Sequence, residues 1–425
     1  MKLVIAEKPS VAISIAKVIG ANKKKDGYYE GNGYKVSWCV GHLIQMANPD
    51  AYDEKYAKWN ITDLPIIPSD YKYEVAKATK KQFNILKKLM NNKEIDMVIN
   101  ACDAGREGES IFRLVYNEAK CKKKMKRLWI SSMEDSAIKE GFDNLTDGKD
   151  YDNLFESAQA RAIADWLVGM NISRLYSCLY KQNYSVGRVQ TPTLSMIVDR
   201  DNEIANFKKE KYYTVELSMD GFILSTDRID DEIAAEQLIN LVGDKIEITN
   251  VIKKEKITKP ELSFDLTTLQ RECNKYFGYS AKQTLDYAQS LYEKKLITYP
   301  RTDSRCLTTD MITSMVNNIL GQNDFDTERI KVIFNSSKVT DHHAIIPTVS
   351  SMSEDLSNIP KSEVKVYRLI FNKLHASVGY PLVESTTKIV AEFDGFEFSS
   401  TTARLLKMTA LQNILKITSL RKMKI

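Results

Sequence analysis

Tyr299 stands where a phenol can be put to chemical use. It lies in the run Leu296, Ile297, Thr298, Tyr299, Pro300, Arg301, Thr302, Asp303 and Ser304. Pro300 disfavours helical geometry at the residue before it and holds the tyrosine extended. Leu296 and Ile297 are apolar and can anchor this corner in a core. Arg301 is always charged, and its planar fork matches a phosphate with two parallel hydrogen bonds. A phenol with a pKa of about 10 is a poor nucleophile at neutral pH, so a neighbouring cation is the minimum activation it needs. The competing reading is a strand-to-turn junction holding one ordinary tyrosine among the 21 of the chain.

Two acidic clusters far upstream supply what a phosphate-handling tyrosine lacks. Residues 2–6 (KLVIA) form a short apolar run, the pattern of a buried parallel strand. The run ends in Glu7, Lys8, Pro9 and Ser10, and a helical pattern follows over 11–19 with Ser10 as its expected N-cap. The arrangement recurs at 95–102 (IDMVINAC), which leads into Asp103, Gly105, Glu107, Gly108 and Glu109 and then a helix. Carboxylates at the carboxyl ends of parallel strands lie at the crevice where α/β sheets bind ligands. Glu7, Asp103 and either Glu107 or Glu109 are hard oxygen ligands suited to Mg²⁺. Glycines at 105 and 108 let backbone approach a phosphate closely. The alternative for this loop is a solvated connection.

At this point the chain resembles a known family. Residues 7–10 (EKPS) and 103–109 (DAGREGE) look like the two signatures of a Toprim domain. With 297–304 (ITYPRTDS) they are similar to the type IA DNA topoisomerases, the topoisomerase III branch above all. Further matching runs are WCVGH at 38–42, LWISS at 128–132, DWLVGMN at 165–171, SVGRVQTPT at 185–193 and DHHAIIPT at 341–348.

The resemblance implies a multidomain fold mixing α/β, α and β parts: a Toprim α/β domain, helical winged-helix-like domains and a β-rich arch, joined as a four-domain toroid. It implies that Tyr299 attacks a phosphodiester of single-stranded DNA to give a 5′-phosphotyrosyl bond, with strand passage and religation. Exchange of one phosphodiester for another conserves bond energy, so no ATP is needed, and the chain has no G-x-x-x-x-G-K-[S/T] loop. Arg301 and Lys8 would steady the charge of the scissile phosphate, as oxyanion-stabilising donors do. Glu7 would shuttle a proton or bind metal, and Asp103 and Glu107 would hold Mg²⁺. Gly105 stands where many relatives carry an aspartate, which favours one loosely held ion.

Strand-binding residues are read along the same lines. Ser185, Val186, Gly187, Arg188, Val189 and Gln190 offer hydroxyl, guanidinium and amide donors around a glycine, or else a tight turn before Pro192. Arg161 and Asp165 are four residues apart and can pair with each other on one helix. The resemblance instead turns Arg161 and Arg174 toward phosphates and puts His342 beside the tyrosine as a phosphate contact. Trp59 and Tyr292 are read as core side chains before base-stacking ones. The run KKKMKR at 122–127 reads as a solvated loop.

The elements that must position these groups follow from pattern. The expected divisions are a Toprim domain over 1–150, a helical single-strand-binding part over 151–211, and a first part of the arch over 212–278. A helical domain carrying the tyrosine over 279–380 and a second, incomplete part of the arch over 381–425 complete the chain. A chain of 425 residues fits several domains at roughly 150 residues each. The formal charge of +5 suits local grooves for one strand rather than a histone-like surface. Six scattered cysteines lack paired metal spacing and read as reduced thiols. No apolar run approaches the ~20 residues of a membrane span. With these readings, the resemblance implies a setting in the bacterial cytoplasm, on nucleoid or mobile-element DNA. The expected partners of a monomer are single-stranded or negatively supercoiled DNA and, in some settings, a helicase.

After Glu397 no acidic residue appears, and residues 408–419 look foreign to the family. A neighbouring reading frame would give a more ordinary surface composition, so a frameshifted or truncated end is expected. Two other functions compete with the lead reading: a non-catalytic single-strand-binding remnant, and a Toprim nuclease or primase, which needs no tyrosine.

Overall fold

The computed structural model describes residues 1–243, 246–321, 325–339 and 341–407. The unusual tail at 408–425 lies outside the described residues. The chain forms two units, one comprising residues 1–200, 264–307 and 336–370, the other 201–263, 308–335 and 371–425.

The first unit is built on a seven-stranded sheet. Its strands are β1 (Lys2–Ala6), β2 (Lys23–Lys25), β3 (Tyr28–Gly31), β4 (Tyr34–Trp38), β7 (Met97–Ala101), β8 (Lys124–Arg127) and β9 (Thr146–Asp147), in the order β2-β3-β4-β1-β7-β8-β9; the short pair β5 (Ile44–Met46) and β6 (Tyr73–Val75) forms a separate ribbon. The four central strands run parallel, as the apolar runs predict, while β2, β3 and β9 pair antiparallel at the margins. Leu3, Val4 and Ile5 have no exposed surface, as strands covered on both faces require.

Register decides what happens at the carboxyl edge. Ala6 of β1 pairs with Ala101 of β7, so the segments that leave the two strands, carrying Glu7 and Asp103, emerge side by side. Helix α1 (Pro9–Ile19) starts one residue earlier than its expected cap: Lys8 is the N-cap and Pro9 takes the first turn, where its missing N–H costs nothing. Ser10 is thus inside the helix rather than capping it. Helix α2 (Lys80–Met90) and α3 (Arg106–Glu118) cover the sheet. A Cβ on Gly108 would meet the Asp103 carbonyl oxygen at 2.1 Å, so the first turn of α3 lies against the acidic loop only because that residue is glycine.

Helices α4 (Asp135–Asp143), α5 (Asp152–Tyr180) and α6 (Gln190–Ala205) follow. Trp166 of α5 is buried and its indole N–H donates to the Ala47 carbonyl at 3.0 Å. Helix α8 (Leu266–Phe277) and α9 (Ala281–Glu293) also belong to this unit, although 264–278 was expected in the arch. Leu269 and Cys273 of α8 are buried in one core with Leu291, Leu296 and Ile297, and this packing overrides the division suggested by spacing. Ser280 caps α9 in a reciprocal pair with Gln283.

The second unit contains a five-stranded antiparallel sheet of β10 (Glu216–Met219), β11 (Phe222–Thr226), β12 (Ile248–Thr258), β13 (Leu382–Phe393) and β14 (Phe396–Lys407), in the order β10-β11-β14-β13-β12, with helix α7 (Glu232–Leu241). Val215, Leu224, Ala391 and Phe398 form its core. Alternating polar and apolar residues at 212–218, 246–252 and 387–393 overlap β10, β12 and β13. Among the described residues no helix is long and apolar enough to cross a membrane.

Candidate active site

The tyrosine corner is pinned from both sides. Ile297 bridges Pro347, the Thr298 N–H donates to the Ile346 carbonyl at 2.9 Å, and the Tyr299 N–H donates to the Ser131 carbonyl at 3.1 Å. Leu296 and Ile297 are buried, as the anchoring argument requires. The side chain enters a cleft of about 390 Å³ whose walls include Glu7, Asp103, Glu107, Arg301 and His342. There the Tyr299 hydroxyl donates to Asp103 Oδ2 at 3.1 Å. Residues almost two hundred positions apart thus share one hydrogen bond.

Electrostatics in the cleft run against the expected role of Arg301. Burial is the largest effect on the Tyr299 phenol and raises its pKa, the Asp103 carboxylate raises it further, and Arg301 only partly opposes them. The neighbouring cation is therefore not enough to ionise the phenol before a substrate arrives. Arg301 itself is exposed and makes no hydrogen bond or ion pair among the described residues, which leaves its fork open to a ligand. Glu7 is pushed up to about 7, first by burial and then by the Asp103 charge, against the pull of Lys8 and Arg301.

Two acids this close, one of them hindered from ionising by burial and by the other's charge, are what a divalent cation would relieve. Glu7 and Asp103 fit such an ion, which keeps most of its waters and needs few protein oxygens. The expected third ligand does not join them. Among the described residues no three acidic, histidine or cysteine side chains converge as a metal site. Glu107 points instead at Arg161 and His42, each at 3.7 Å. Glu109, the alternative ligand, is 1% exposed and bound by Arg113 and Arg127, so it is structural.

His342 lies beside the tyrosine, with ring centroids 4.5 Å apart. Its Nε2 meets the Ala104 carbonyl, which can only accept, so Nδ1 accepts from the Ser131 hydroxyl at 3.0 Å. Burial lowers its pKa and keeps the ring neutral. Both nitrogens are thus engaged by protein groups, and the expected phosphate contact is here a brace between the acidic loop and the tyrosine.

The remaining predicted residues divide. Lys8 pairs with Glu293 at 3.4 Å and does not line the cleft. Asp165 pairs not with Arg161 but with Arg188, in a two-pronged contact of 2.6 and 3.2 Å. Arg174 is buried, donating to the Tyr56 carbonyl at 2.9 Å with its guanidinium 5.3 Å from the Trp59 ring, so it does not reach outward. Trp59 is 47% exposed and Tyr292 3%; only the second fits the core reading, packing edge-on against Tyr299 at 5.3 Å. In the loop of residues 185–190, the Gln190 amide donates to the Ser185 hydroxyl at 2.8 Å and the Val186 N–H to the Ser173 hydroxyl at 2.9 Å. Gly187 donates to the Thr191 hydroxyl at 3.1 Å, and Val189 is exposed.

Sequence reasoning missed Arg127. It ends the basic run but is fully buried, donating to the carbonyls of Cys102 and Asp103 at 2.7 Å each, 3.2 Å from Glu109 and 5.0 Å from the Trp129 ring. It fixes the backbone that presents Asp103. The available signal was its position directly before the apolar Leu128, Trp129 and Ile130.

A Toprim-like sheet with a tyrosine delivered to its acidic edge defines a class of DNA-handling proteins. A family model described as "DNA topoisomerase" matches residues 149–410, and one for the Toprim domain matches residues 2–133. The chain belongs to the type IA DNA topoisomerase family. It is 40% identical over 419 residues to DNA topoisomerase 3 of Bacillus subtilis, covering 94% of this chain and 57% of that protein. For DNA topoisomerase 3 of Bacillus licheniformis the figures are 41% over 420 residues, with 94% and 57% covered. The structure of full-length topoisomerase I from Thermotoga maritima superposes with a TM-score of 0.74 at 25% identity, covering 97% of this chain and 67% of that one. The chain therefore spans a little over half the length of the curated relatives it matches.

Proposed function

We propose that this chain cuts and reseals single DNA strands without ATP, through a covalent bond between Tyr299 and a 5′ phosphate. The observation that carries the reading is the hydrogen bond from the Tyr299 hydroxyl to Asp103 at 3.1 Å. It gives the phenolic proton a carboxylate acceptor as the oxygen attacks phosphorus, which answers the raised pKa of the phenol. Arg301, open on the same cleft wall, takes the charge that builds on the phosphate. Glu7, protonated for part of the time near neutrality at a pKa of about 7, supplies a proton to the departing 3′ oxygen and takes it back on resealing. Once ionised by that transfer, Glu7 would join Asp103 in holding Mg²⁺, which would neutralise the pair and keep the free 3′ hydroxyl aligned for religation.

Strand binding falls to the exposed donors of residues 185–190 and to Arg161, and Lys8 joins the phosphate once it leaves Glu293. Trp59 offers an exposed ring for a base. The chain works as a monomer on single-stranded segments of negatively supercoiled DNA in the bacterial cytoplasm.

The test is direct. A 5′-labelled or 3′-labelled oligonucleotide is incubated with protein and Mg²⁺ and the mixture is denatured. The 3′ label is expected on the protein, because the downstream fragment is held through its new 5′ phosphate, and the 5′ label on a free fragment, with complete loss of the adduct on Tyr299→Phe. Retardation of the strand without any adduct would reduce the chain to a binding module.

A further inference from the structure

Glu107 and Arg161 form a contact that neither metal binding nor strand binding explains. Glu107 occupies the first turn of α3 and forms part of the wall between the tyrosine cleft and a neighbouring cavity of about 210 Å³. Its two oxygens have partners other than Glu7 and Asp103. Oε1 lies 3.7 Å from Arg161 Nη1, and Oε2 lies 3.7 Å from His42 Nε2. Arg161 has no other ion pair among the described residues, because its helical neighbour Asp165 is taken by Arg188. The two side chains of the Arg161 contact are 37% and 58% exposed, so the pair is weak and easily exchanged.

We infer that Arg161 and a divalent cation compete for Glu107, so that metal binding and strand binding by this chain reinforce each other. The inference rests on the proposed function, which gives the cleft a metal and Arg161 a phosphate. A cation taking Glu107 releases Arg161, whose fork then meets a backbone phosphate. A phosphate taking Arg161 releases Glu107 to swing toward Glu7 and Asp103 and complete the ligand set. Each ligand removes the other's competitor, and by linkage the two affinities rise by the same factor. An exposed ion pair sets that factor at up to about fivefold. Gly105, standing between Asp103 and Glu107 without a carboxylate, makes the metal more dependent on Glu107 than an aspartate there would.

The experiment uses the full chain carrying Tyr299→Phe, so that no strand is cut. Mn²⁺ binding to the DNA-free protein is followed by electron paramagnetic resonance, and binding of a fluorescent oligothymidylate by anisotropy with and without Mg²⁺ at constant ionic strength. Adding Arg161→Gln is expected to raise Mn²⁺ affinity two- to fivefold, by roughly the strength of the lost pair, and to abolish the extra tightening of the oligonucleotide by Mg²⁺. Lys126→Gln removes a cation of the same sign from its pair with Asp147, outside both cavities, and should leave Mn²⁺ affinity as it was. Equal gains in both variants would show a general field effect, and no gain in Arg161→Gln would show that Glu107 is not contested. Either result overturns the inference, while adduct formation by the unsubstituted chain tests the proposed function separately.

Discussion

Glu107 and Glu109 are two residues apart on one helix and lead opposite lives. Two positions along a helix point to different faces. Glu109 turns inward, 1% exposed, where Asn100 donates to it at 2.8 Å and Arg113 and Arg127 close around it at 2.8 and 3.2 Å. Glu107 turns outward, with two partners at 3.7 Å and water on most of its surface. Both contacts pair arginine with a carboxylate. Desolvation makes the first one a fixed strut, since a buried charge that loses its partner has nowhere to go. Solvent makes the second one exchangeable, since either charge can turn to water or to a ligand at little cost. The site thus places a rigid network behind Asp103 and a loose one in front of it.

Arg127→Ala should break the strut and give the largest effect. It strips a buried carboxylate of one cation and frees the carbonyls of Cys102 and Asp103, a loss of about 3–5 kcal/mol by analogy with other broken buried pairs. Chemical denaturation would register this as a large fall in the unfolding midpoint, and a shift within ordinary error would refute the clamp.

The next largest effect concerns pH. Glu7 has a folded pKa near 7 against 4.5 for the free group. Between those values the folded chain holds a proton that the unfolded chain has released, so stability falls as pH rises through the window and is flat above it. Glu7→Gln should remove this slope and leave the protein more stable than the parent at pH above 7, read by denaturation at several pH values. Added Mg²⁺ should recover part of the parent's loss at high pH, because the ion favours the ionised carboxylate. A parent protein with no slope would mean that burial and the Asp103 charge do not hold the Glu7 carboxyl up.

Arg188→Gln is expected to matter least to stability. Its pair with Asp165 is about half exposed on both sides, so solvent screens it and little stability is at stake. A loss comparable to that of Arg127→Ala would erase the distinction between the two kinds of pair. Oligonucleotide affinity, by contrast, should weaken across all sequences, because a phosphate contact carries no base information.

Much of the site was legible because its parts are local. The apolar runs at 2–6 and 95–102 announce β1 and β7, and the carboxylates after them mark the carboxyl edge of the sheet. Pro300 and the two apolar residues before Thr298 define the corner, and the Ser280 cap fixes the helix that leads to it. The failures have a common form. Pro9 displaced Ser10 as the start of α1 because the first turn tolerates it. Spacing offered Asp165 to Arg161, and only the arrival of Arg188 on the next loop shows why that pair does not form. Arg174 and Arg127 read as surface cations, yet carbonyls and aromatic rings enclose both.

Sequence alone determined which groups this protein has for its chemistry and on which elements they ride, since strand, turn and cap preferences act within a few residues. Only the family resemblance implied that a tyrosine and two acids meet. The tertiary structure decided how close they come, which charges lose their water and which partner each arginine takes. Those outcomes depend on burial and on segments hundreds of residues apart, and neither leaves a mark in the local pattern of the chain.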